Sequence, residues 1–366
     1  MIKASQLRKA EPDDLKALLV LENSCFSGDK LSRRSFQNFL KPGSHDIWVL
    51  SQAEILVGYA LVLYRSGTNL ARLYSIAVHP DFQGQGFSRQ LLRTAEQAVV
   101  ERQCVYLRLE VKVSNQAALS LYEKSGYKKL SRIVEYYEDG QDAFRMEKRL
   151  MTQALKTAQP KPYYEQTTEF SCGPASLMMA LQTLNHRYDM NRAEELQIWR
   201  EATTIFMTSG HGGCSPHGLA LSAWRRGLKV HLYINTPDVP FMDGVRDNEK
   251  KQVIELVHEE FMRQISETDI EVSVQSLEAE QLESILQQGL PILALISTWR
   301  LNRNKAPHWV YLAASDEGFV YINDPDQDDH PHLTQTDFQQ IPISKKQFTE
   351  MARFGQKKLR ALLVLS

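Results

Sequence analysis

Between Met151 and Pro162 the hydrophobic periodicity of the chain lapses, and the patterns on its two sides differ in kind. Pro160 and Pro162 stiffen the end of that stretch, so it reads as a connection between separate cores. A length of 366 residues is also more than one core usually serves. The expectation is two domains, residues 1–150 and 163–366, joined by a linker at 151–162, with no internal repeat relating them.

Charge and cysteine content narrow the classes of function. The chain carries 43 Lys plus Arg against 44 Asp plus Glu, so as a whole it has no general attraction for nucleic acid or an anionic membrane. The halves differ: 22 basic against 17 acidic side chains in residues 1–150, and 21 against 27 in residues 151–366, which suits different partners. The apolar runs Pro291 to Ile296 and Ala361 to Leu365 fall far short of the roughly 20 residues that cross a bilayer. Charges scattered through the first twenty residues predict no export signal. Cys25, Cys104, Cys172 and Cys214 are too widely spaced for a disulfide scaffold, so a reducing, cytoplasmic setting is expected.

The first half alternates strands and helices. Ile2–Arg8 reads as extended and Pro12–Cys25 and Leu31–Leu40 as helices, before three strands, His45–Ser51, Ile55–Arg65 and Leu70–Val78, that suggest an antiparallel meander. A helix over Gly86–Arg102 sets Leu91, Leu92, Ala95, Ala98 and Val99 on one face. Strand Val105–Val111, helix Asn115–Lys124 and two last strands complete the pattern. The strand ending at Val78 runs through Gln83-Gly84-Gln85-Gly86-Phe87-Ser88 directly into a helix. Glycines at such a turn let backbone N–H groups converge, and the helix N-terminus adds positive potential, so a pyrophosphate fits there.

This loop, with Leu109-Glu110-Val111 and the segment from Asn115 through Tyr122 to Gly126-Tyr127, resembles the GNAT acetyltransferase superfamily, and within it the RimI-like protein N-terminal acetyltransferases. The resemblance covers about residues 1–150 and implies an α/β fold with a mixed, mostly antiparallel sheet flanked by helices, and acetyl-CoA as cosubstrate. Gln83 to Ser88 fits the acyl-CoA pattern Q/R-x-x-G-x-G/A except that Ser88 adds a hydroxyl at the last small position. By resemblance, Gln83, Gly84, Gln85, Gly86, Phe87 and Ser88 cradle the pyrophosphate. Ile76 and Val78 offer backbone groups to the pantetheine arm, and Asn115 holds that arm or the helix start. The chemistry needs an amine freed of its proton and an acid for the departing thiolate; Glu110 and Tyr122 match in position the base and the acid proposed for RimI-like enzymes. A chain-terminal amine, with a pKa near 8 against about 10.4 for lysine, is the easier acceptor to deprotonate. Residues 26–45 and 136–142, where the acceptor loops fall, carry no readable code, and small-molecule amines stay open.

The second half predicts helices at 172–184, 192–200, 216–226, 248–265 and 277–287, then strands at 291–298, 308–314 and 318–322, an α+β order with helices first. Cys172 sits where a helix begins, since Pro174 suits a first turn, and a helix start stabilises a thiolate. His308 and Asp324 could supply a base and an orienting carboxylate, and the Gln166 amide an oxyanion donor. Gln166 with Cys172-Gly173-Pro174-Ala175, His308-Trp309-Val310 and Asp324-Pro325 resembles the papain-like cysteine peptidases, more closely the bacteriocin leader-peptidase (double-glycine peptidase) family, over roughly residues 162–330. Members of that family that process leaders during export sit on membrane transporters, whereas no span is expected here. A rival constellation, His211-Gly212-Gly213-Cys214-Ser215-Pro216-His217, has the spacing of a soft-metal site but no evident fourth ligand, so no metal is expected.

The combined expectation is a bifunctional enzyme, an acetyl-CoA-dependent N-acetyltransferase joined to a thiol peptidase or amide hydrolase, acting on a peptide or protein acceptor and on neither nucleic acid nor membrane. The alternative is a catalytically silent peptidase-like domain that recruits the acceptor, and a weaker one is acyl chemistry on a small metabolite.

Overall fold

The computed structural model describes residues 5–151, 161–204, 212–245, 247–304, 306–327 and 335–366; most of the expected linker and His211 lie outside them. The chain divides into two compact units, Met1–Thr152 and Gln153–Ser366.

The first unit runs β1 (Ser5–Lys9), α1 (Leu15–Cys25), α2 (Arg33–Phe39), β2 (His45–Gln52), β3 (Ile55–Tyr64), β4 (Leu70–Val78), α3 (Phe87–Glu101), β5 (Tyr106–Lys112), α4 (Gln116–Lys124), β6 (Lys128–Ile133) and β7 (Ala143–Arg149). Its sheet has the order β1-β2-β3-β4-β5-β7-β6. The expected meander β2-β3-β4 is antiparallel, whereas β4 and β5 pair in parallel. The sheet is buried on both faces because its strands alternate apolar side chains: Ile47, Val49, Tyr59 and Leu61 pack with Leu18 and Leu21 of α1, and Leu50, Ala60 and Val62 with Leu91, Leu92 and Ala95 of α3.

Pairing of β4 with β5 covers only Leu70↔Tyr106, Ala71↔Leu107 and Arg72↔Arg108. Beyond Arg72 the strands part, while β4 stays paired to β3 through Val78. One edge of β4, including Ile76 and Val78, is thereby left without a β5 partner.

The second unit runs α5 (Cys172–Leu184), α6 (Arg192–Ala202), α7 (Pro216–Arg225), β8 (Val230–Ile234), α8 (Asn248–Ile265), β9 (Glu271–Val274), α9 (Ala279–Gln287), β10 (Ile292–Ser297), α10 (Trp299–Asn302), β11 (Pro307–Ser315), β12 (Phe319–Asn323), β13 (Ile341–Ser344), α11 (Lys345–Met351) and β14 (Ala361–Leu365). Its sheet has the order β13-β12-β11-β10-β14-β8-β9, antiparallel except for β8 with β9. Alternation again buries both faces: Leu293, Leu295, Trp309 and Tyr311 face α5 and α7, and Ile292, Ala294, Val310 and Leu312 face the other way.

The expectation of helices first is corrected here. β8 and β9 fall among the helices, and β14 inserts between β10 and β8. Val230, Leu232 and Ile234 do alternate inward, but a five-residue run is too short for period alone to separate strand from loop. β14 is buried throughout, so it carries no alternation to read.

Helices α6 and α7 approach closely at Gly218, where an added Cβ would lie 2.6 Å from the Ala202 backbone. Rigid backbone cannot yield as a side chain can, so Gly218→Ala should destabilise the second unit by about 1–3 kcal/mol. Urea denaturation followed by tryptophan fluorescence measures this as a lowered midpoint.

Candidate active sites

In the first unit, Gly84 and Gly86 adopt left-handed backbone with φ of 77° and 87°, a conformation that favours glycine. A Cβ at either would meet no protein atom within 4 Å, so the turn opens outward and is not plugged by its own chain. Gly86 is the N-cap of α3, with Phe87 and Ser88 in its first turn. Gln83 folds back, its side chain donating to the Val78 carbonyl at 3.2 Å. Asn115 caps α4 by accepting from the Ala118 N–H at 3.1 Å, the helix-start role among its two expected ones. A cleft lined by Arg89, Arg93 and Glu96 of α3 with Lys124 and Lys148 gathers cations that no spacing in the sequence marks. These features fit a pyrophosphate-bearing acyl carrier: backbone donors at a helix start, an open turn and an unpaired strand edge.

Glu110 is buried between two guanidiniums, with Arg72 at 2.7 Å on one oxygen and Arg145 on the other. Register explains this, because Arg145 on β7 lies directly opposite Glu110 on β5. Arg72 also donates to the Tyr136 hydroxyl at 2.6 Å. Glu110, the expected base for the amine proton, has a guanidinium against each of its oxygens. Tyr122 is buried against Tyr127, with ring centroids 5.6 Å apart. Burial, and then the Glu110 charge, push the Tyr122 phenol above its ordinary pKa, so it keeps the proton that a general acid must hold.

In the second unit, Cys172 opens α5, and that helix is tied to β11 by the Ser176 hydroxyl, which donates to the Trp309 carbonyl at 3.1 Å. The Trp309 N–H points at Cys172 Sγ from 3.4 Å, and the Trp309 indole N–H donates to the Cys214 carbonyl at 3.1 Å. His308, one residue before Trp309, has Nε2 at 2.7 Å from Asp324 Oδ1, which leaves Nδ1 for the thiol side. Burial alone would favour neutral imidazole; the Asp324 and Cys172 charges, with hydrogen bonds to both, reverse this and hold the His308 pKa well above its usual value. Asp324 is fixed by its N–H to Phe338 and its carbonyl to the Tyr163 hydroxyl. The remaining thiols are pushed up by burial: Cys25 to about 11, Cys104 to about 12, and Cys214 well above its ordinary value, with Cys172 adding to the last.

Gln166 lies against the Asp324–Asp326 segment, its backbone N–H on the Pro325 carbonyl at 2.9 Å. Its amide donates to Asp326 Oδ1 at 3.1 Å, and its buried Oε1 has no partner among the described residues. The expected oxyanion donor is therefore turned toward Asp326, because the acidic side chain competes for its N–H. Among the described residues no group of three or more His, Cys, Asp or Glu side chains could hold a metal ion. His217 packs edge-on to His258, and burial, then His258, lowers its pKa to about 3. Among the described residues no helix is long and apolar enough to cross a membrane. Sequence reasoning missed Trp309 as a thiol donor and Arg72 and Arg145 as partners of Glu110. Register across a sheet was the only signal for the latter, and it is not visible without the fold.

Residues 161–366 match the Peptidase_C39 like family, and residues 9–150 match the acetyltransferase (GNAT) domain family. Because the first match spans more than half of the chain, the protein belongs to the Peptidase_C39 like family, and it carries a RimI-like GNAT acetyltransferase domain ahead of that region. Its GNAT part is 36% identical over 87 residues to N-alpha-acetyltransferase MAK3 of Arabidopsis thaliana, covering 24% of this chain and 41% of that protein. It is 42% identical over 71 residues to the [ribosomal protein bS18]-alanine N-acetyltransferase of Salmonella typhimurium, covering 19% and 48%. The chain thus spans about half the length of the curated relatives it matches. A crystal structure of the ribosomal-protein-S18-alanine N-acetyltransferase from Escherichia coli aligns with 28% identity and a TM-score of 0.38, covering 42% of this chain and 98% of that one. The GNAT acetyltransferase family uses acetyl-CoA.

Since folding raises the proton affinity of His308, its contribution to stability is complete below its unfolded pKa of about 6.5 and is lost as pH rises through the higher folded value. The stability difference between wild type and His308→Gln should be largest below about pH 6.5 and shrink as pH rises above it, measured by urea denaturation at each pH.

Proposed function

We propose that the two units act as two domains of a bifunctional enzyme: an acetyl-CoA-dependent N-acetyltransferase for peptide or protein N-termini, and a papain-like thiol hydrolase using Cys172, His308 and Asp324. What supports the second activity is the single arrangement at the start of α5, where the His308–Asp324 pair and the Trp309 N–H meet the Cys172 thiol. An imidazole kept protonated by Asp324 stabilises a neighbouring thiolate and can return its proton to a leaving amine.

For the first activity, acetyl-CoA supplies the thioester, and this chain would bind its pyrophosphate with Gln83 to Ser88, its pantetheine along Ile76 and Val78, and its remaining phosphate charge with Arg89 and Arg93. Tyr122 would donate the proton to the departing thiolate. Glu110, paired to two guanidiniums, would keep that phenol protonated and leave the amine proton to solvent. A terminal amine, with a pKa near 8, is sufficiently neutral for such a site and a lysine is not. The named relatives are N-alpha-acetyltransferases, which agrees with a peptide or protein acceptor.

Mass spectrometry of a mixture of short peptides incubated with the full chain, with and without acetyl-CoA, should reveal an acetyl gain on α-amines and a cut that needs Cys172. Tyr122→Phe should lower acetyl transfer about a hundredfold with acetyl-CoA binding retained, read by product formation and by calorimetry. Iodoacetamide should label Cys172 at least about tenfold faster than Cys25 or Cys104, whose thiols burial keeps protonated. Equal labelling would favour a silent, acceptor-holding domain.

A further inference from the structure

Glu195 on α6 is fully buried and forms no ion pair among the described residues. Its carboxylate instead collects four donors from the segment that leads into the nucleophile: the Thr167 N–H at 2.7 Å, the Thr167 hydroxyl at 2.7 Å, the Tyr164 hydroxyl at 3.1 Å and the Ser171 hydroxyl at 2.5 Å. A buried carboxylate without a cation is costly, and a neutral side chain of similar size would anchor a loop at less cost. Its position therefore calls for a task beyond anchoring.

That task is legible at Ser171, the N-cap of α5. A serine there ordinarily turns its oxygen onto the free N–H of the second or third helical residue. The third is Pro174, which has no N–H, so Gly173 is the one donor Ser171 could cap. It does not: the Ser171 side chain makes no capping bond. Its one proton has two acceptors, the Glu195 carboxylate at 2.5 Å and, farther off, the Thr168 carbonyl at 3.0 Å, and its oxygen accepts from the Thr168 hydroxyl at 2.7 Å. Among the described residues nothing accepts from the Cys172 or Gly173 N–H, so both remain open beside the sulfur at a helix start, where the potential is positive. One N–H of the Gln166 amide is held by Asp326, so these backbone groups join its second N–H as donors for a developing oxyanion.

We propose that Glu195 is a positioning residue that, by holding the Ser171 hydroxyl, keeps the Cys172 and Gly173 amides free to receive the oxyanion of an acyl intermediate on Cys172. The proposal rests on the thiol-hydrolase reading above. In the step concerned, the Cys172 thiolate forms a bond to the substrate carbonyl carbon and the carbonyl π pair moves onto oxygen. Collapse of that oxyanion expels the leaving group and leaves a thioester, which water cleaves.

Two probes on the full chain separate this role from general support of the fold. p-Nitrophenyl acetate passes through an oxyanion, expelling p-nitrophenolate; iodoacetamide alkylates by displacement and develops none. Acylation and alkylation of the Cys172 peptide are followed by mass spectrometry, with Cys172→Ala as the blank. Glu195→Gln should slow acylation about tenfold or more while alkylation stays within about twofold of wild type. Ser171→Ala, which removes the competing cap, should restore acylation when combined with Glu195→Gln. A parallel loss of both reactions, no loss of either, or failure of Ser171→Ala to rescue would overturn the proposal. If wild-type Cys172 is alkylated no faster than Cys25, the hydrolase reading itself fails and the role of Glu195 falls with it. Should Glu195→Gln not fold, Glu195→Asp, which keeps the charge but shortens its reach to Ser171, serves in the same comparison.

Discussion

The docking of α5 on β11 is the interaction on which the chemistry proposed for the second unit depends. One hydroxyl bond, Ser176 to the Trp309 carbonyl, fixes the helix along the strand, and the next groups along that strand then meet Cys172: the Trp309 N–H at its sulfur and His308 beside it. The strand is held in turn by pairing on both sides, to β10 and to β12, and by Trp309 and Tyr311 buried beneath the helix. A slip of one residue in β11 would exchange the faces that His308 and Trp309 present. The thiol would then keep its helix start and lose its imidazole.

The first unit relies on a failure to pair. β4 and β5 are parallel neighbours for three residues and then separate, which leaves strand edge, glycine turn and helix start aimed at common space. An exposed backbone edge is normally a liability, satisfied by another strand or by water. In the proposed acetyltransferase it is the edge along which an acyl carrier would lie. Glu110, Arg72 and Arg145 form a buried ionic cluster that ties β4, β5 and β7 together. A buried pair of this sort contributes geometry more surely than stability. Its charge also acts on Tyr122.

Much of this was legible in the chain. The apolar runs of β3, β10 and β11, the amphipathic face of α3 and the helix start at Cys172 follow local rules of composition, period and capping, so short windows suffice to find them. Cys172 was marked by its helix start, and His308 and Asp324 by a strand start, a following turn and the resemblance to papain-like peptidases; the structure sets His308 Nε2 on Asp324 and the Trp309 N–H on Cys172. Glu110 and Gln166 were found by position, yet their partners were not: Arg145 is a cross-strand neighbour and Asp326 a loop neighbour, distant in the chain and unmarked by any spacing. β8 and β14 escaped because five residues carry too little periodic information.

The sequence alone determined which groups could react: a thiol and a glycine turn each at the head of a helix, since helix starts are written within a few residues by Pro, Gly and Ser. Only the tertiary structure decided what those groups face, because hydrogen-bond partners such as Glu195 for Ser171, or Arg72 and Arg145 for Glu110, are brought in by strands and helices that packing, and not local propensity, sets side by side.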